Sequence, residues 1–321
     1  TSDSAGLQAC NTFNGLASSR CDYATTIGTL RFATGETTKT IFIPIVDDSY
    51  AEGTERFTVR LSSPSSGASL GSIPVATVTI SDNETVTTTP NPIVDPKFFI
   101  RQQYIDFLGR EPDPVGWQGW QDILNNCQPT DKSCDRISVS AGFFRSPEFQ
   151  DRGYFVYRFY PVALGRAPHY SEFIPDMAKV SGFLTEEEKE ANKVAFIQEF
   201  MSRPEFSNRY GVATDPATYV DGLLQTCGIP NHPSRGTWIA QLTNGTATRA
   251  QVLRALSESQ EVYDKFYNES FVVMQYFGYL RRDPDILYLE WIKTMNTNGG
   301  DYRDMINGFM NSSEYFLRFG P

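Results

Sequence analysis

The chain has 321 residues, 13% of them aromatic, and a formal net charge of −10. Its length and composition indicate about two globular domains with apolar cores and exclude a disordered chain. The acidic balance argues against nucleic acid and anionic membranes as partners, and no apolar run approaches the eighteen or so residues of a membrane span.

Four segments in the first eighty-odd residues are typical of β-strands, because they are rich in Thr, Val and Ile and are separated by turn residues. They are GTLRFAT from Gly28, KTIFIPIVD from Lys39, ERFTVRLSS from Glu55 and ATVTISDN from Ala76. This spacing predicts an all-β sandwich. The Thr- and Pro-rich residues 85–96 follow and predict a linker between domains.

Residues 97–321 carry aromatic and aliphatic side chains at helical spacing. The motif LGREPD, or a variant of it, starts at Leu108, Leu164 and Leu280, and a decayed copy, LQTCGIPN, starts at Leu224. Four copies predict an all-α domain of four helical repeats. In each copy one helix is predicted to end at the Leu-Gly-Arg of the motif or its variant, and Asp113, Asn231 or Asp285 can cap the next helix. A Trp follows the motif in three copies. We predict that these three tryptophans are buried in the core, and the alternative is that they form a surface that binds sugars. They are Trp120, Trp238 and Trp291.

A second repeated element follows each motif and contains a glutamate with a basic residue four positions later. This spacing places both side chains on one helix face in the favourable order. We interpret the four pairs as surface ion pairs rather than as four carboxylate sites. The pairs are Glu148 with Arg152, Glu205 with Arg209, Glu261 with Lys265, and Glu314 with Arg318.

The cysteines fall into two close pairs and one single residue. Cys10 and Cys21 enclose a polar loop, as do Cys127 and Cys134, and neither pair has the spacing of a zinc site. We predict two local disulfides and therefore an oxidising compartment. Four free buried thiols are the alternative, and Cys227 has no evident partner.

The stretch IVDDSYAEGTERF, from Ile45 to Phe57, places two aspartates and two glutamates between apolar strands. Clustered carboxylates repel one another, and a divalent cation removes that repulsion. Calcium takes six to eight oxygen ligands, often carboxylates from several loops. The stretch therefore indicates either a solvated turn or a calcium site.

The segment from Gly28 to Glu84 resembles a Calx-β domain in its GTLRFATGETTK strand pair, its IVDDSYAEGTE turn and its closing TVTISDNE. Such domains are immunoglobulin-like sandwiches, and some bind calcium at one end. Carried over to this sequence, the resemblance implies a set of calcium ligands. They are Asp22, Asp47, Asp48, Glu52, Asp82, Asn83 and Glu84.

The resemblance also implies that the first strands of the sandwich would precede Thr1, together with one acidic ligand. Position 83 is Asn where calcium-binding members often carry Asp. An incomplete sandwich has exposed strand edges. We expect either that the missing strands are cleaved or unrecorded, or that a neighbouring copy of the chain supplies a strand.

The helical half resembles DUF4214, a bacterial domain of unknown function distantly similar to phycobilisome linker domains. The resemblance covers Lys97 to Pro321 and rests on FIRQQYIDFLGREPDPVGWQGW, YFGYLRRDPD and SSEYFLRFGP. It implies a secreted or surface-attached bacterial protein with adhesion-type neighbours, and it brings no enzymatic activity with it.

The predicted fold is multidomain: an incomplete immunoglobulin-like all-β sandwich over residues 1–84, a linker over 85–96, and an all-α domain of four helical repeats over 97–321. We expect a non-enzymatic extracellular or cell-surface structural or adhesive protein with Ca²⁺ as its cofactor. Its partners would be other copies in a homo-oligomer or filament, or another cell-surface protein. The alternatives are a secreted module that binds glycans or proteins and, with the least support, a calcium-dependent hydrolase.

Overall fold

A computed structural model of the chain describes residue 1 and residues 8–88, 90–182, 184–211 and 215–321. Residues 2–7 of the predicted sandwich and residue 89 of the predicted linker lie outside the described residues. The chain divides into two compact units. The first unit comprises Thr1–Phe143, Tyr276–Arg282 and Tyr302–Pro321, and the second comprises Phe144–Gln275 and Asp283–Asp301.

The β-structure of the first unit is an antiparallel pair, β1 (Glu55–Arg60) and β2 (Val75–Ile80), with Glu55 opposite Ile80. Both strands are rich in β-branched residues, which pack well on a pleated surface. On the buried side of β1, the ring of Phe57 stacks on that of Tyr23 with their centroids 4.0 Å apart. The predicted order of a β-part followed by a mostly helical part is confirmed.

The two predicted strands at residues 28–34 and 39–47 form no ladder among the described residues, apart from one bridge between Tyr23 and Ile45. A strand needs a neighbour whose backbone groups it can bond. In the described part of the chain, residues 44–46 have such a neighbour in residues 22–24, and the rest of the two segments has none. Apolar side chains of that remaining part are exposed, with Phe32 at 55% and Phe42 at 78% of full exposure.

Helices begin where a side chain accepts hydrogen bonds from the first free backbone amides, as at Asp95, Asp113 and Thr185. Of the three predicted caps, Asp113 caps a helix, whereas the helices that follow Asn231 and Asp285 have Ser234 and Leu287 at their N-cap positions. The helices are α1 (Pro96–Gln103), α2 (Pro114–Asn125), α3 (Arg136–Arg145), α4 (Pro147–Phe149), α5 (Phe155–Leu164), α6 (Tyr170–Val180), α7 (Glu186–Ser202), α8 (Pro204–Tyr210), α9 (Pro216–Thr226), α10 (Arg235–Thr243), α11 (Arg249–Ser257), α12 (Gln260–Gln275), α13 (Tyr288–Thr297), α14 (Arg303–Met310) and α15 (Ser313–Phe316), with a 3₁₀ turn at Pro92–Val94 and π-turns at Tyr104–Leu108, Gln150–Tyr154 and Tyr276–Leu280.

The repeat motifs mark helix ends. Gly109 and Gly165 follow the motif leucines and adopt left-handed backbone conformations, with φ of 65° and 68°, as helix-ending glycines commonly do. Arg281 occupies the same motif position with φ of 54°, which costs a non-glycine residue free energy. In the decayed copy the left-handed residue is Gly228, with φ of 66°, so the helix ends later than an alignment from Leu224 predicts.

A buried carboxylate in the first unit, Asp106, is shared by two buried arginines. Arg281 Nη2 lies 2.6 Å from Asp106 Oδ1, and Arg318 Nη2 lies 3.0 Å from the same oxygen. Arg318 also donates to the carbonyls of Gly278 and Tyr279. All three charged side chains are at most 4% exposed. This network fixes the otherwise unfavourable backbone of Arg281 and joins the first and last motif copies.

Two of the four predicted ion pairs form in the described part of the chain. Glu148 with Arg152 and Glu205 with Arg209 form the expected contacts at 2.7 and 3.8 Å. The other two predictions are wrong. Arg318 follows α15 instead of lying within a helix and turns inward to Asp106. Lys265 donates to the carbonyl of Gly228 instead of pairing with Glu261, one turn earlier on the helix.

The second unit is built around α5, whose ten side chains are all buried except that of Arg158, which is partly buried. Phe155 and Phe159 meet Phe196 and Phe200 of α7 edge to face, with ring centroids 5.3 to 6.1 Å apart. Such aromatic pairs add to the stabilisation that burial alone provides. The core of this unit is therefore an aromatic layer between two helices.

The cysteines pair as the sequence predicts. Disulfides join Cys10 to Cys21 and Cys127 to Cys134, with Cα atoms 5.4 and 5.5 Å apart. Cys227 is buried and carries a free thiol. None of the helices in the described residues has the length and apolar character that a membrane crossing requires.

The three tryptophans differ in burial. Trp238 is buried at 6% exposure and packs on His232, and Trp120 is partly buried and stacks on Phe143. Trp291 is also partly buried. All three therefore contribute to packing, and the buried-anchor prediction holds fully for Trp238 only.

Candidate metal centre

A small cavity lies at the end of the β-pair where β1 begins and β2 ends. It has a volume of about 90 Å³. Three segments of the chain supply its wall: the loop containing Asp22, the turn over residues 45–55, and the residues 80–84 that end β2 and follow it. Seven of the fourteen described lining residues are acidic, and none of the fourteen is Lys or Arg. The acidic residues are Asp22, Asp47, Asp48, Glu52, Glu55, Asp82 and Glu84.

The closest carboxylates in this cavity belong to Asp22, Glu52 and Glu55. One ligand oxygen from each lies within 4.8 Å of the other two. Glu55 points inward because strand alternation puts it on the same face as the buried Phe57. Asp22 is buried as well, and its Oδ2 accepts a hydrogen bond from the amide of Ser18 at 2.5 Å.

Asp82 holds the rim of the cavity in place. Its Oδ2 accepts from the amides of Glu52 and Gly53 at 2.6 and 2.8 Å, and its Oδ1 accepts from the amide of Glu84 at 2.8 Å. Burial alone would raise the pKa of Asp82, but these three donors hold it below its ordinary value. Asp82 is therefore an anion that fixes the shape of the turn.

Asp48, Glu52 and Glu55 resist ionisation. Burial, followed by repulsion from neighbouring carboxylates, raises the pKa of Asp48 to about 7 and that of Glu52 to about 9. Burial also raises the pKa of Glu55. Charges of one sign are thus gathered where no basic side chain of the lining offsets them. A divalent cation would remove both the repulsion and the desolvation cost, so these residues fit a metal site.

All seven ligands predicted from the sequence line this cavity. Asp47 and Asn83 are the most exposed of them, whereas Asp22 lies deepest. Glu55 is an acidic residue of the cavity that the sequence prediction did not include. It stands in the turn motif itself, and the alternation of Glu55, Phe57 and Val59 was the signal that places it on the inner face.

Comparison with known families accounts for both halves. Residues 5–84 match the family model of the Calx-beta domain. Residues 91–153 and 197–266 match that of a domain of unknown function, DUF4214. The chain carries a Calx-beta domain followed by DUF4214 segments. This order is the one that the sequence motifs predicted, and the candidate metal centre lies within the Calx-beta segment.

Neither curated proteins nor solved structures provide a precedent for the candidate metal centre. No curated protein and no solved structure matches the chain. The match to the Calx-beta family is consistent with an extracellular β-domain that binds calcium.

Proposed function

We propose that this chain is a non-enzymatic structural protein of the extracellular space or cell surface, and that its Calx-beta domain binds Ca²⁺ in the acidic cavity. The observation that carries the proposal is the convergence of Asp22, Glu52 and Glu55 within 4.8 Å of one another. Calcium prefers oxygen ligands and tolerates irregular geometry. When bound, it would neutralise the cluster and cross-link the loops that supply these side chains.

Calorimetric titration tests the binding itself. We expect the chelator-treated chain to bind one Ca²⁺ with a dissociation constant of about 0.1–1 mM, the range of extracellular calcium modules. Mg²⁺ should bind more weakly, because it demands a rigid octahedral shell. The absence of heat and of any Ca²⁺ competition with a chelating dye would contradict the proposal.

The proposal also predicts how stability depends on pH when divalent cations are removed. The folded-state pKa values of Asp48 and Glu52 are raised, so their stabilising contribution is present at low pH and is lost as pH rises through about 7 and about 9. We expect the calcium-free chain to lose on the order of 1–2 kcal/mol between pH 5.5 and 9, a value reduced because water reaches part of both side chains.

Denaturant unfolding at several pH values in chelator measures this loss. Glu52→Gln should flatten the profile, whereas Glu36→Gln, at an exposed position of the same domain, should leave it unchanged. With saturating Ca²⁺ the trend should reverse, because protons then compete with the metal. A profile that is equally steep in the Glu52→Gln variant would be inconsistent with this account.

The size of the acidic cavity supports a non-enzymatic role. Sites for small organic molecules enclose about 300–1,000 Å³, and this cavity encloses about 90 Å³. It suits an ion better than a sugar ring, which disfavours a hydrolase centred on these carboxylates. The two disulfides support an extracellular location, because such bonds persist in oxidising compartments.

We further propose that a second copy of the chain covers the exposed segment of residues 28–43. Among the described residues the segment forms no ladder, contains a turn at Ala33 to Glu36, and exposes Leu30, Phe32 and Phe42. Segments of high β-propensity that lack a neighbouring strand are suited to strand addition. Two basic residues and one acidic residue give the segment a net charge near zero, whereas the chain carries −10. Copies therefore repel one another least at this segment, which favours self-association here.

Sedimentation velocity tests this contact. We expect the average mass to rise between about 1 and 100 μM protein, as it does for any reversible assembly. Phe42→Glu should weaken the association about tenfold or more, because the contact would then place like charges opposite each other. Val115→Glu, at an exposed position on α2, is the matched control and should associate normally. A monomer at every concentration would exclude the contact.

A further inference from the structure

A second cavity lies within the second unit, far larger than the acidic one. It has a volume of about 400 Å³, within the range of small-molecule sites. Its apolar wall includes Phe266, Tyr288, Leu289 and Ile292. Leu289 is 47% exposed, so the cavity opens to solvent at this rim. A ligand can therefore enter without unfolding the unit.

One polar group of this wall is the ammonium of Lys265. Its Nζ donates to the carbonyl of Gly228 at 2.9 Å. Gly228 is left-handed, and a Cβ at this position would lie 2.5 Å from Nζ, so only glycine allows this approach. In two other copies of the repeat, the corresponding basic residue forms an ion pair with the glutamate one turn earlier. Lys265 lines the cavity instead. An ammonium has three donors, and only one is used by the described residues.

A second polar group of the wall is the carboxyl of Glu269, one helical turn from Lys265 on α12. Tyr157, whose side chain is fully buried, donates its hydroxyl to Glu269 Oε1 at 2.9 Å. This contact fixes the carboxyl, while Oε2 accepts no hydrogen bond from the described residues. Burial raises the pKa of Glu269.

We propose that this cavity binds one sugar ring of a glycan, with Lys265 and Glu269 hydrogen-bonding its hydroxyls. Neighbouring hydroxyls both donate and accept, so one pair can accept from Lys265 and donate to Glu269 Oε2. The apolar face of the ring would lie against Tyr288 and Phe266. This site is independent of the calcium proposal, because the two cavities lie in different units.

The arrangement of charge favours a neutral ligand over an anion. Arg166 also lines the cavity, but its guanidinium is already bound by Glu172 and Glu205 at 2.7 to 2.8 Å. The ammonium of Lys265 and the carboxyl of Glu269 line the same cavity, so that their opposite charges offset each other. The wall therefore presents no uncompensated positive charge to attract a phosphate or sulfate.

Saturation-transfer NMR on the full chain, with a panel of glucose, galactose, mannose, fucose and N-acetylglucosamine, tests this inference. We expect at least one sugar to bind with a dissociation constant on the order of 1 mM, as a ligand of this size allows. Glu269→Gln and Lys265→Met should each weaken binding about tenfold. Glu290→Gln and Lys293→Met, at exposed positions of α13, are the matched controls and should bind normally.

Leu289→Arg gives a second variant that does not disturb the buried Tyr157 contact. Placed at the open rim, it should obstruct the cavity and abolish binding while the melting temperature stays that of the parent. Failure of every sugar to bind at about 50 mM would overturn the proposal. Binding of a zwitterionic amino acid in place of a sugar, or sugar binding unaffected by all three cavity variants, would overturn it equally.

Discussion

Replacing Asp106 with alanine is expected to lower the free energy of unfolding of the first unit by about 3–5 kcal/mol. The reason is that Arg281 and Arg318 would lose the buried carboxylate that both of them contact. The loss should exceed that of an ordinary core truncation of this size, since the substitution also removes a negative charge that offsets two buried guanidinium groups. It should also release the left-handed backbone at Arg281 that this carboxylate holds.

Denaturant unfolding followed by circular dichroism measures this change. Asp122→Ala is the matched control, because Asp122 is exposed on α2 and, among the described side chains, its carboxylate accepts a hydrogen bond from Gln118 alone. It should alter stability by no more than about 0.5 kcal/mol. A loss below about 1 kcal/mol in Asp106→Ala would show that the buried arginines find water or other acceptors, and would contradict the network described here.

Saturating Ca²⁺ is expected to stabilise the first unit by about 2.7 kcal/mol at a hundredfold excess over the dissociation constant. The gain follows from mass action, because the unfolded chain does not hold these carboxylates together. For a unit of this size it corresponds to a rise in melting temperature of about 5–10 °C. Calorimetric scans with Ca²⁺, Mg²⁺ and chelator would measure it.

The Glu52→Gln, Glu55→Gln double variant separates this explanation from a general salt effect. Without calcium it should be more stable than the parent chain, because repulsion within the cavity is removed. With calcium it should gain nothing. The variant Glu36→Gln should retain the full gain. A double variant that is destabilised without calcium and still stabilised by it would show that the ion binds elsewhere.

The sequence was informative where a pattern is set by local chemistry. Cysteine spacing predicted both disulfides. Helix ends at Gly109 and Gly165 followed from the repeated motif because a left-handed residue favours glycine. These features depend on residues close together in the chain. The seven residues that line the cavity lie farther apart and were implied by the resemblance to a Calx-β domain.

The sequence was less informative where a partner lies far away in the chain. Nothing in the repeat pattern shows that Arg318 turns to Asp106, a separation of 212 residues, rather than to the glutamate one turn earlier. The same is true of Lys265, which reaches Gly228. The strand prediction over residues 28–47 failed for a related reason, since local β-propensity does not supply the neighbouring strand that a ladder needs.

The position of the bound ion tests the central claim most directly. A crystal structure of the calcium-saturated chain, with Tb³⁺ exchanged for Ca²⁺ to give anomalous scattering, would locate it. We predict one strong peak in the acidic cavity, with carboxylate oxygens of Asp22, Glu52 and Glu55 about 2.3–2.6 Å away. An ordered cavity without a peak at saturating metal, or a peak only at other carboxylates, would contradict the assignment.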